Sequence, residues 1–416
     1  MAPAAEEWFI LYGVPKVVAM EETIFQESTN VSFTFNKAPL PSHVTVADDA
    51  LIRTGFFNYP YIAAAARCGI LLLCGHSKIG FTYYLCDPLI RRTLGIVPPG
   101  GDDDVSCRYC VGLISDRSDT HLMVAELNPS SLAEHGRVTL RCTVDMCSWV
   151  DKESAECSNI VERREWRGDG VLTHKFFLWW FDLSYCILAC DPFADKPRFH
   201  QIMFPSVPDA APFYPNPIYG DVYRCLKVSN GRLRYVQIHG TSPEKMEVSM
   251  WTLSSNDPAD AKWTNRVDVP FERIWDDPSY RSKGLPPQVV PAVVLVHPMR
   301  ASEVYFCLPT HIFSVNLNEK KTVDCEEFSV QVPPHKICSS RLVHAWRLPV
   351  GYTKQSGPGL SRVMECQFVN RWSSVEDFHT KAEMIIRSRP KPHDDWGLED
   401  IDEDRYDSDT SMTEEI

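Results

Sequence analysis

Short apolar runs, each long enough for one β-strand, alternate along most of the chain with clusters of Pro, Gly, Asp and Ser. The runs are rich in Val, Ile, Phe, Tyr and Trp, a combination typical of strands separated by turns. Helical periodicity is nearly absent. The best candidates are an alanine-rich stretch over residues 59–67 and a short apolar stripe within residues 376–389. The pattern therefore predicts an all-β protein.

Two Cys-Asp-Pro sequences indicate an internal repeat. Asp87 and Asp191 lie 104 residues apart, and each follows an apolar run. Similar strand-sized segments follow both turns in the same order. If two units separate the turns, the period is about 50 residues, which is the spacing of kelch-type propeller blades with four antiparallel strands. Residues 55–350 then hold about six blades, whereas a solenoid is disfavoured because its periods are shorter.

A ring of blades has to close, because each blade buries its apolar faces only against its neighbours. We expect the N-terminal strand WFILYG to join the last blade beside SSRLVHAWRLP. The predicted organisation has four parts. They are an N-terminal strand and lead-in segment (1–54), a β-propeller-like domain (55–350), a C-terminal loop and short helix (351–389) and a disordered acidic tail (390–416).

The negative charge of the chain is concentrated in the tail. The formal net charge is −13, and residues 394–416 hold eleven acidic residues against one Arg. The remainder has 44 acidic and 41 basic residues, a net charge of only −3. Without a basic stripe, a nucleic-acid partner is not expected. Within the tail, Ser411 precedes Glu414 by three residues and resembles an acidophilic phosphorylation site.

Cysteine usage and hydropathy favour a soluble protein of the cytoplasm or nucleus. The apolar run near the N-terminus is short and follows two Glu residues, unlike a signal peptide. No run approaches the ~20 apolar residues that span a bilayer. The 15 cysteines are therefore expected as reduced thiols that pack in the core. We expect a monomer without membrane attachment.

Several segments resemble a plant family, expanded in grasses, that is known as domain of unknown function 1618. The central segment carries the most specific match, with one departure at Tyr185 and Cys186, where relatives usually have a Trp-Gly pair. The matching stretches are EEWFILYG, AAARCGILLLC, LWWFDLSYCILACDPFADKPRFHQIMFPSVP, THIFSVNLNEKKTVDC and SSRLVHAWRLP. Residues Trp180, Asp182, Leu183, Cys190, Asp191, Pro192, Phe193 and Asp195 match in register.

The resemblance implies a propeller-like body of the kelch/F-box-associated type, without any established chemistry. Relatives sometimes carry an F-box, but the residues before the first blade lack its Leu-rich helical pattern. The resemblance therefore leaves a bare binding domain, for which no cofactor is expected.

The motifs that suggest chemistry have simpler structural interpretations. Asp before Pro opens turns, so Asp87–Pro88 and Asp191–Pro192 are expected to end blade strands. Cys107 and Cys110, with Cys142 and Cys147, have only part of the spacing of a zinc site, and core thiols are the preferred interpretation. GHSKIG is one residue too long for a nucleophile elbow and is expected as a hairpin loop. No metal site and no catalytic residue are predicted.

The longest polar insertion between predicted strands covers residues 151–170. It contains Arg163, Arg164, Trp166 and Arg167, and Arg and Trp are enriched at interface hot spots. These four residues are the predicted partner-contact site. The simpler alternative is a solvated loop whose Trp packs back on its blade.

These observations favour a non-catalytic protein–protein interaction module on a propeller scaffold. Propellers also host enzymes, so one alternative is a hydrolase or lyase that uses carboxylates such as Asp116 or Asp182 near the central channel. A receptor for a small molecule is a further alternative. An enzyme should bring acids and His together in one funnel with perturbed pKa values, whereas an interaction module should expose aromatic and Arg side chains on one rim.

Overall fold

The computed structural model describes fourteen stretches of the chain. They are residues 8–20, 29–52, 59–66, 69–77, 80–88, 91–96, 98, 109–118, 121–128, 138–144, 148–153, 166–207, 220–330 and 338–347. The expected C-terminal loop, helix and acidic tail, including Ser411, lie outside them.

Strands account for most of this structure, as the apolar pattern predicts. In chain order they are β1 (Trp8–Tyr12), β2 (Lys16–Val18), β3 (Val31–Thr34), β4 (His43–Ala47), β5 (Tyr61–Ala65), β6 (Leu71–Ser77), β7 (Gly80–Asp87), β8 (Arg92–Ile96), β9 (Val111–Ser115), β10 (Leu122–Asn128), β11 (Thr139–Thr143), β12 (Trp149–Glu153), β13 (Gly170–His174), β14 (Phe177–Asp182), β15 (Cys186–Cys190), β16 (His200–Met203), β17 (Arg224–Ser229), β18 (Arg232–His239), β19 (Glu247–Leu253), β20 (Trp263–Pro270), β21 (Ala292–Val296), β22 (Glu303–Cys307), β23 (His311–Asn316), β24 (Lys321–Glu327) and β25 (Val343–Arg347). The short helices are Gly220–Tyr223, Phe271–Trp275 and Pro278–Arg281, with 3-10 turns at Pro243–Lys245 and Ser340–Leu342.

Five consecutive antiparallel sheets form the first five blades of a β-propeller. Blades 1 to 5 contain β5–β8, β9–β12, β13–β16, β17–β20 and β21–β24, and in each blade neighbouring strands are consecutive in the chain. Local hairpins explain this order, because they pair strands soon after each turn. One two-residue hairpin is the β17–β18 turn, where Asn230 and Gly231 both have positive φ, at 47° and 69°.

The sixth blade joins the two ends of the described chain. Strand β25 pairs antiparallel with β1, so that Trp8 lies opposite Arg347 and Tyr12 opposite Val343. A parallel bridge from Leu11 to Ser42 then links β1 to β4, which pairs with β2 and β3. The closure therefore follows the predicted pairing. Residues 1–54 were expected to supply one strand and a lead-in segment, and they also supply β2, β3 and β4 as outer strands of this blade.

The alanine-rich stretch that suggested a helix is instead β5, the innermost strand of blade 1. The helical prediction was wrong because it weighed local propensity alone. Strand β5 contacts both β9 and β13 across the centre of the ring. Small side chains suit this crowded position, and tertiary packing overrides the helix propensity of Ala.

Apolar clusters fill the spaces between neighbouring blades. Separate clusters join blades 6 and 1, blades 2 and 3, blades 3 and 4, and blades 4 and 5, while a fifth combines the 1–2 and 5–6 interfaces. Trp179 and Trp180 point to opposite sides of β14, so each fills a different interface. Each blade thus stabilises the next, as expected for a ring of small sheets.

Most described cysteines are buried thiols. Nine of the described cysteines are not in a disulfide: Cys325 is half-buried, and the buried ones are Cys74, Cys86, Cys142, Cys186, Cys190, Cys225, Cys307 and Cys338. Cys110 differs from them, because it is disulfide-bonded. Among the helices of the described ranges, none combines the length and apolar character needed to cross a bilayer.

Candidate functional site

The first residues of the inner strands meet at one end of the central channel. Tyr59, Tyr109 and Asp169 lie just before β5, β9 and β13, respectively. Asp221 lies in the short helix that precedes β17, and Arg341 lies just before β25. We call these five residues the channel mouth. The face of the ring at which the inner strands begin is the mouth face, and the face at which they end is the opposite face.

Arg341 holds the channel mouth together. Its Nη2 donates to Asp169 Oδ1 at 3.0 Å, and its Nε lies 3.3 Å from Asp221 Oδ2. The guanidinium stacks 4.2 Å from the ring centre of Tyr109, whose hydroxyl is 2.9 Å from that of Tyr59. One side chain of blade 6 thereby contacts blades 2, 3 and 4. Guanidinium suits this position because it offers a planar fork of donors and a face for stacking.

Two carboxylates face a single guanidinium at the mouth. Burial raises the pKa of Asp169 to about 6; Arg341 opposes this shift, while Asp221 and Asp182 add to it. Burial disfavours the charged form of Arg341, but Asp221, Tyr109 and Asp169 raise its pKa above the ordinary value. Arg341 therefore stays charged, and the mouth has a small excess of negative charge that Asp169 can lose by protonation near neutral pH.

Beneath the mouth, a buried lysine crosses the channel. Lys227 Nζ donates to the carbonyl oxygens of Ser340 and Val343, each at 2.7 Å, and so connects blade 4 to blade 6. Burial lowers the pKa of Lys227. In the same region, burial and then Lys227 lower the pKa of His344 to about 3. Lys227 therefore links the inner strand of blade 4 to the segment that begins the inner strand of blade 6.

The two carboxylates proposed for an enzyme do not act together. Asp116 follows the inner strand β9, so it lies on the opposite face, where it accepts from Ser118 Oγ at 2.7 Å. Asp182 ends β14 near the mouth and is fully buried. Its Oδ2 accepts from the N–H of Arg167 and its Oδ1 from the N–H of Ser184. Both oxygens of Asp182 therefore hold backbone turns.

The predicted partner-contact residues are only partly described. Arg163 and Arg164 lie outside the described residues. Trp166 is half-buried and packs against the interface of blades 2 and 3, where its Nε1 is buried. Arg167 is half-buried beside Asp182 on the mouth face. The insertion therefore brings an Arg to the mouth face and turns its Trp towards the core.

The repeated Asp-Pro positions lie where strands end. Asp87 is the buried last residue of β7, and Pro88 follows it. Asp191 directly follows β15, and its Oδ1 accepts from the N–H of Phe193 at 2.9 Å, with Pro192 between them. Of the cysteines weighed as zinc ligands, Cys107 and Cys147 fall outside the described residues, and Cys110 and Cys142 are buried in blade 2.

A second concave region lies beside the mouth, between blades 5 and 6. It is a cavity of about 730 Å³ lined by residues of both blades. Tyr12 and Phe328 form its aromatic wall, with ring centres 6.1 Å apart, and the buried hydroxyl of Tyr12 has no hydrogen-bond partner among the described residues. The remaining lining residues are Val14, Lys16, His43, Thr310, His311, Glu327 and Ser329.

Sequence reasoning missed the residues that form the mouth. Asp169 and Arg341 are separated by 172 positions, so no local motif contains both. A usable signal existed in principle: each is a polar residue directly before an inner strand, and in a propeller all such positions converge. That signal requires the blade boundaries, which the repeat period locates only approximately.

Comparison with known proteins supports the resemblance noted above. Residues 180–305 match the family described as protein of unknown function (DUF1618). This match covers less than half of the chain and includes most of the central segment with the Cys-Asp-Pro turn. No curated protein matches the sequence.

Several solved structures are similar in outline at low sequence identity. A protein from Lactobacillus plantarum is 11% identical with a TM-score of 0.35, covering 77% of this chain and 82% of its own. The endo-arabinase from Bacteroides thetaiotaomicron is 11% identical with a TM-score of 0.24, covering 51% and 72%. The β-propeller domain of Cps50 (Swd1) from Myceliophteria thermophila is 11% identical with a TM-score of 0.29, covering 66% and 87%. The propeller assignment therefore rests on the sheet order of this chain.

Proposed function

We propose that this chain is a non-catalytic protein-interaction module that binds its partner on the mouth face. The observation that supports this most is how the polar groups of the channel mouth are engaged. Asp169 and Asp221 contact Arg341, and Asp182 accepts from backbone N–H groups. Groups that are engaged in joining blades form a rigid platform and are poorly placed to act on a substrate.

The lengths of the connections between strands also support a binding site on the mouth face. The connections that lead into the inner strands on the mouth face are long, as between Glu153 and Gly170 or between Met203 and Gly220. On the opposite face, the β13–β14 and β17–β18 connections have two residues each. Recognition residues occur preferentially on longer loops that a rigid scaffold positions.

The test compares charge reversals on the two faces. Arg167→Glu with Lys245→Glu alters the mouth face, and Lys175→Glu with Lys196→Glu alters the opposite face by the same charge. Affinity purification from extracts of the native tissue, with quantitative mass spectrometry, measures partner recovery. We expect partners to be lost with the first pair and retained with the second. Loss only with the second pair, or equal recovery with both, would contradict the proposal.

An enzyme is the second candidate, and one observation favours it. Asp169 has a pKa of about 6, so its carboxyl group is protonated in part near neutral pH and could donate a proton. Turnover of a substrate that is lost in Asp169→Asn, while the melting temperature is kept, would favour this candidate. A small-molecule receptor is supported by the cavity between blades 5 and 6.

The proposed biological setting rests on the family match and on the net charge of the chain. We propose that the chain is a member of the family described as protein of unknown function (DUF1618), because residues 180–305 match that family, and that it comes from a plant, as the resemblance implies. We propose a monomer in the cytoplasm or nucleus that binds protein rather than nucleic acid, because the body of the chain has little net charge.

A further inference from the structure

Three side chains with metal-binding atoms converge on blade 4, away from Arg341. His239 ends β18, Glu247 begins β19 and Asp268 lies near the end of β20. One ligand atom from each lies within 4.8 Å of the others. The site is on the mouth face, because β18 runs antiparallel to the inner strand β17 and ends where that strand begins.

The strand register explains why these side chains meet. His239 is opposite Glu247, and Ser249 is opposite Asp268. Side chains two residues apart on a strand share a face, so Glu247 and Ser249 point the same way. Three adjacent strands therefore present one nitrogen and two carboxylate groups at a single end of the sheet, on backbone that the ladder holds in place.

A serine hydroxyl lies at the centre of the group. Ser249 Oγ is 2.7 Å from His239 Nε2 and donates to Asp268 Oδ1 at 2.5 Å. Glu247 Oε2 is 4.0 Å from His239 Nε2. Ligand atoms bound at about 2.0–2.2 Å around a tetrahedral ion are roughly 3.3–3.6 Å apart. The three ligand atoms lie within 4.8 Å of one another, so metal binding requires the partly exposed carboxylates of Glu247 and Asp268 to draw closer by side-chain rotation.

The carboxylate groups of this cluster attract positive charge. Arg266 Nε already lies 2.6 Å from Asp268 Oδ1, and its guanidinium stacks 5.4 Å from the Trp251 ring.

We propose that His239, Glu247 and Asp268 form a binding site for a divalent transition-metal ion, with Zn²⁺ the best fit. An imidazole nitrogen with two carboxylates is a donor set that zinc accepts, whereas Mg²⁺ and Ca²⁺ prefer oxygen alone. Three protein ligands leave a coordination position for water or for a side chain of a partner. This inference is independent of the proposed function.

Arg266 is the natural competitor of the metal ion. Arg266 Nε contacts Asp268 Oδ1, so a metal ion bound by this carboxylate competes with the guanidinium for its negative charge. The alternative is that the hydrogen bonds that connect Arg266, Asp268, Ser249 and His239 form a complete polar network without metal. The two possibilities differ in their response to removal of Arg266, because only a metal site gains from it.

The test is Zn²⁺ binding to the full chain after dialysis against a chelator, measured by titration calorimetry. We expect His239→Gln and Asp268→Asn each to weaken this site at least about tenfold. Arg266→Gln should tighten it, and Asp260→Asn, at an exposed acid of the same blade, should leave it unchanged. Thermal melts check that each variant folds.

Because the chain has 15 cysteines, a second probe distinguishes the ligands. Co²⁺ bound by imidazole and carboxylate lacks the intense near-ultraviolet absorption of thiolate-bound Co²⁺. A visible Co²⁺ spectrum that disappears in His239→Gln supports the site. The proposal is overturned if folded His239→Gln and Asp268→Asn bind Zn²⁺ as the wild type does. If Arg266→Gln binds no more tightly, the competition with Arg266 is overturned.

Discussion

Lys227 offers a direct test of how the ring is held across its channel. Its Nζ donates to two carbonyl oxygens of blade 6, at Ser340 and Val343, and the side chain is buried. Replacement by Met fills a similar volume but leaves both carbonyl groups without these donors. A buried polar group that loses its partner costs about 1–3 kcal/mol. Removal of the desolvation cost of the ammonium offsets part of this loss.

We therefore expect Lys227→Met to lower the free energy of unfolding by about 2–4 kcal/mol at pH 7. Lys245→Met is the matched control, because Lys245 is exposed on the same blade. It should change stability by less than about 0.5 kcal/mol. Urea unfolding followed by tryptophan fluorescence measures both variants.

The pH dependence of this difference has a definite sign. Burial lowers the pKa of Lys227 in the folded chain, so between that value and the ordinary value near 10.5 the unfolded chain binds more protons. The contribution of Lys227 to stability therefore rises with pH in this window, and the deficit of Lys227→Met should grow from pH 7 to pH 10. If Lys227→Met is as stable as its control at both pH values, the channel contacts do not hold the ring.

Three further predictions concern stability, each measured by urea or thermal unfolding. The lowered pKa of His344, about 3, means that the unfolded chain alone is protonated between pH 6.5 and 3. Wild-type stability should fall in that window by roughly 4 kcal/mol more than that of His344→Gln. In Gly112→Ala the new Cβ would lie 2.7 Å from Val171 Cγ1, which should cost about 1–3 kcal/mol, whereas Gly220→Ala meets nothing within 4 Å and should be neutral. In Trp180→Phe a 2.7 Å hydrogen bond to a carbonyl of blade 2 is lost, at a cost of about 2–3 kcal/mol. If the stability of His344→Gln falls as steeply with decreasing pH as that of the wild type, the assignment for His344 is wrong. If Gly112→Ala or Trp180→Phe unfolds at the wild-type midpoint, the assignment for that residue is wrong.

The blade repeat was predictable because it is written in local features. Each strand is a short apolar run, and the Asp-Pro turns recur at equivalent places. Asp87 ends the third strand of blade 1 and Asp191 follows the third strand of blade 3, so the two turns are two blades apart, as the period implied. The pairing of β1 with β25 was also accessible, because a ring of blades needs a closing strand.

The remaining features depend on contacts between distant segments. The parallel link from β1 to β4 has no hairpin signal, so the outer strands of blade 6 were expected only as a lead-in. The sequence of β5 appeared helical because Ala has a high helix propensity. Its alanines instead suit the crowded channel, where β5 contacts other inner strands, and local propensity does not include this tertiary effect. Arg341 meets its two carboxylates only when the ring is closed, so the channel mouth could not be predicted from spacing.

The N-terminal strand β1 closes the ring of blades. Strand β1 buries Ile10, Leu11 and Tyr12 between blades, and each such side chain contributes about 1.5–3 kcal/mol. The decisive measurement is the melting temperature of a chain that lacks residues 1–13, beside one that lacks residues 390–416. A large fall or loss of the cooperative transition in the first, with an unchanged transition in the second, is the predicted result. An unchanged melting temperature without residues 1–13 would show that the ring does not need this strand.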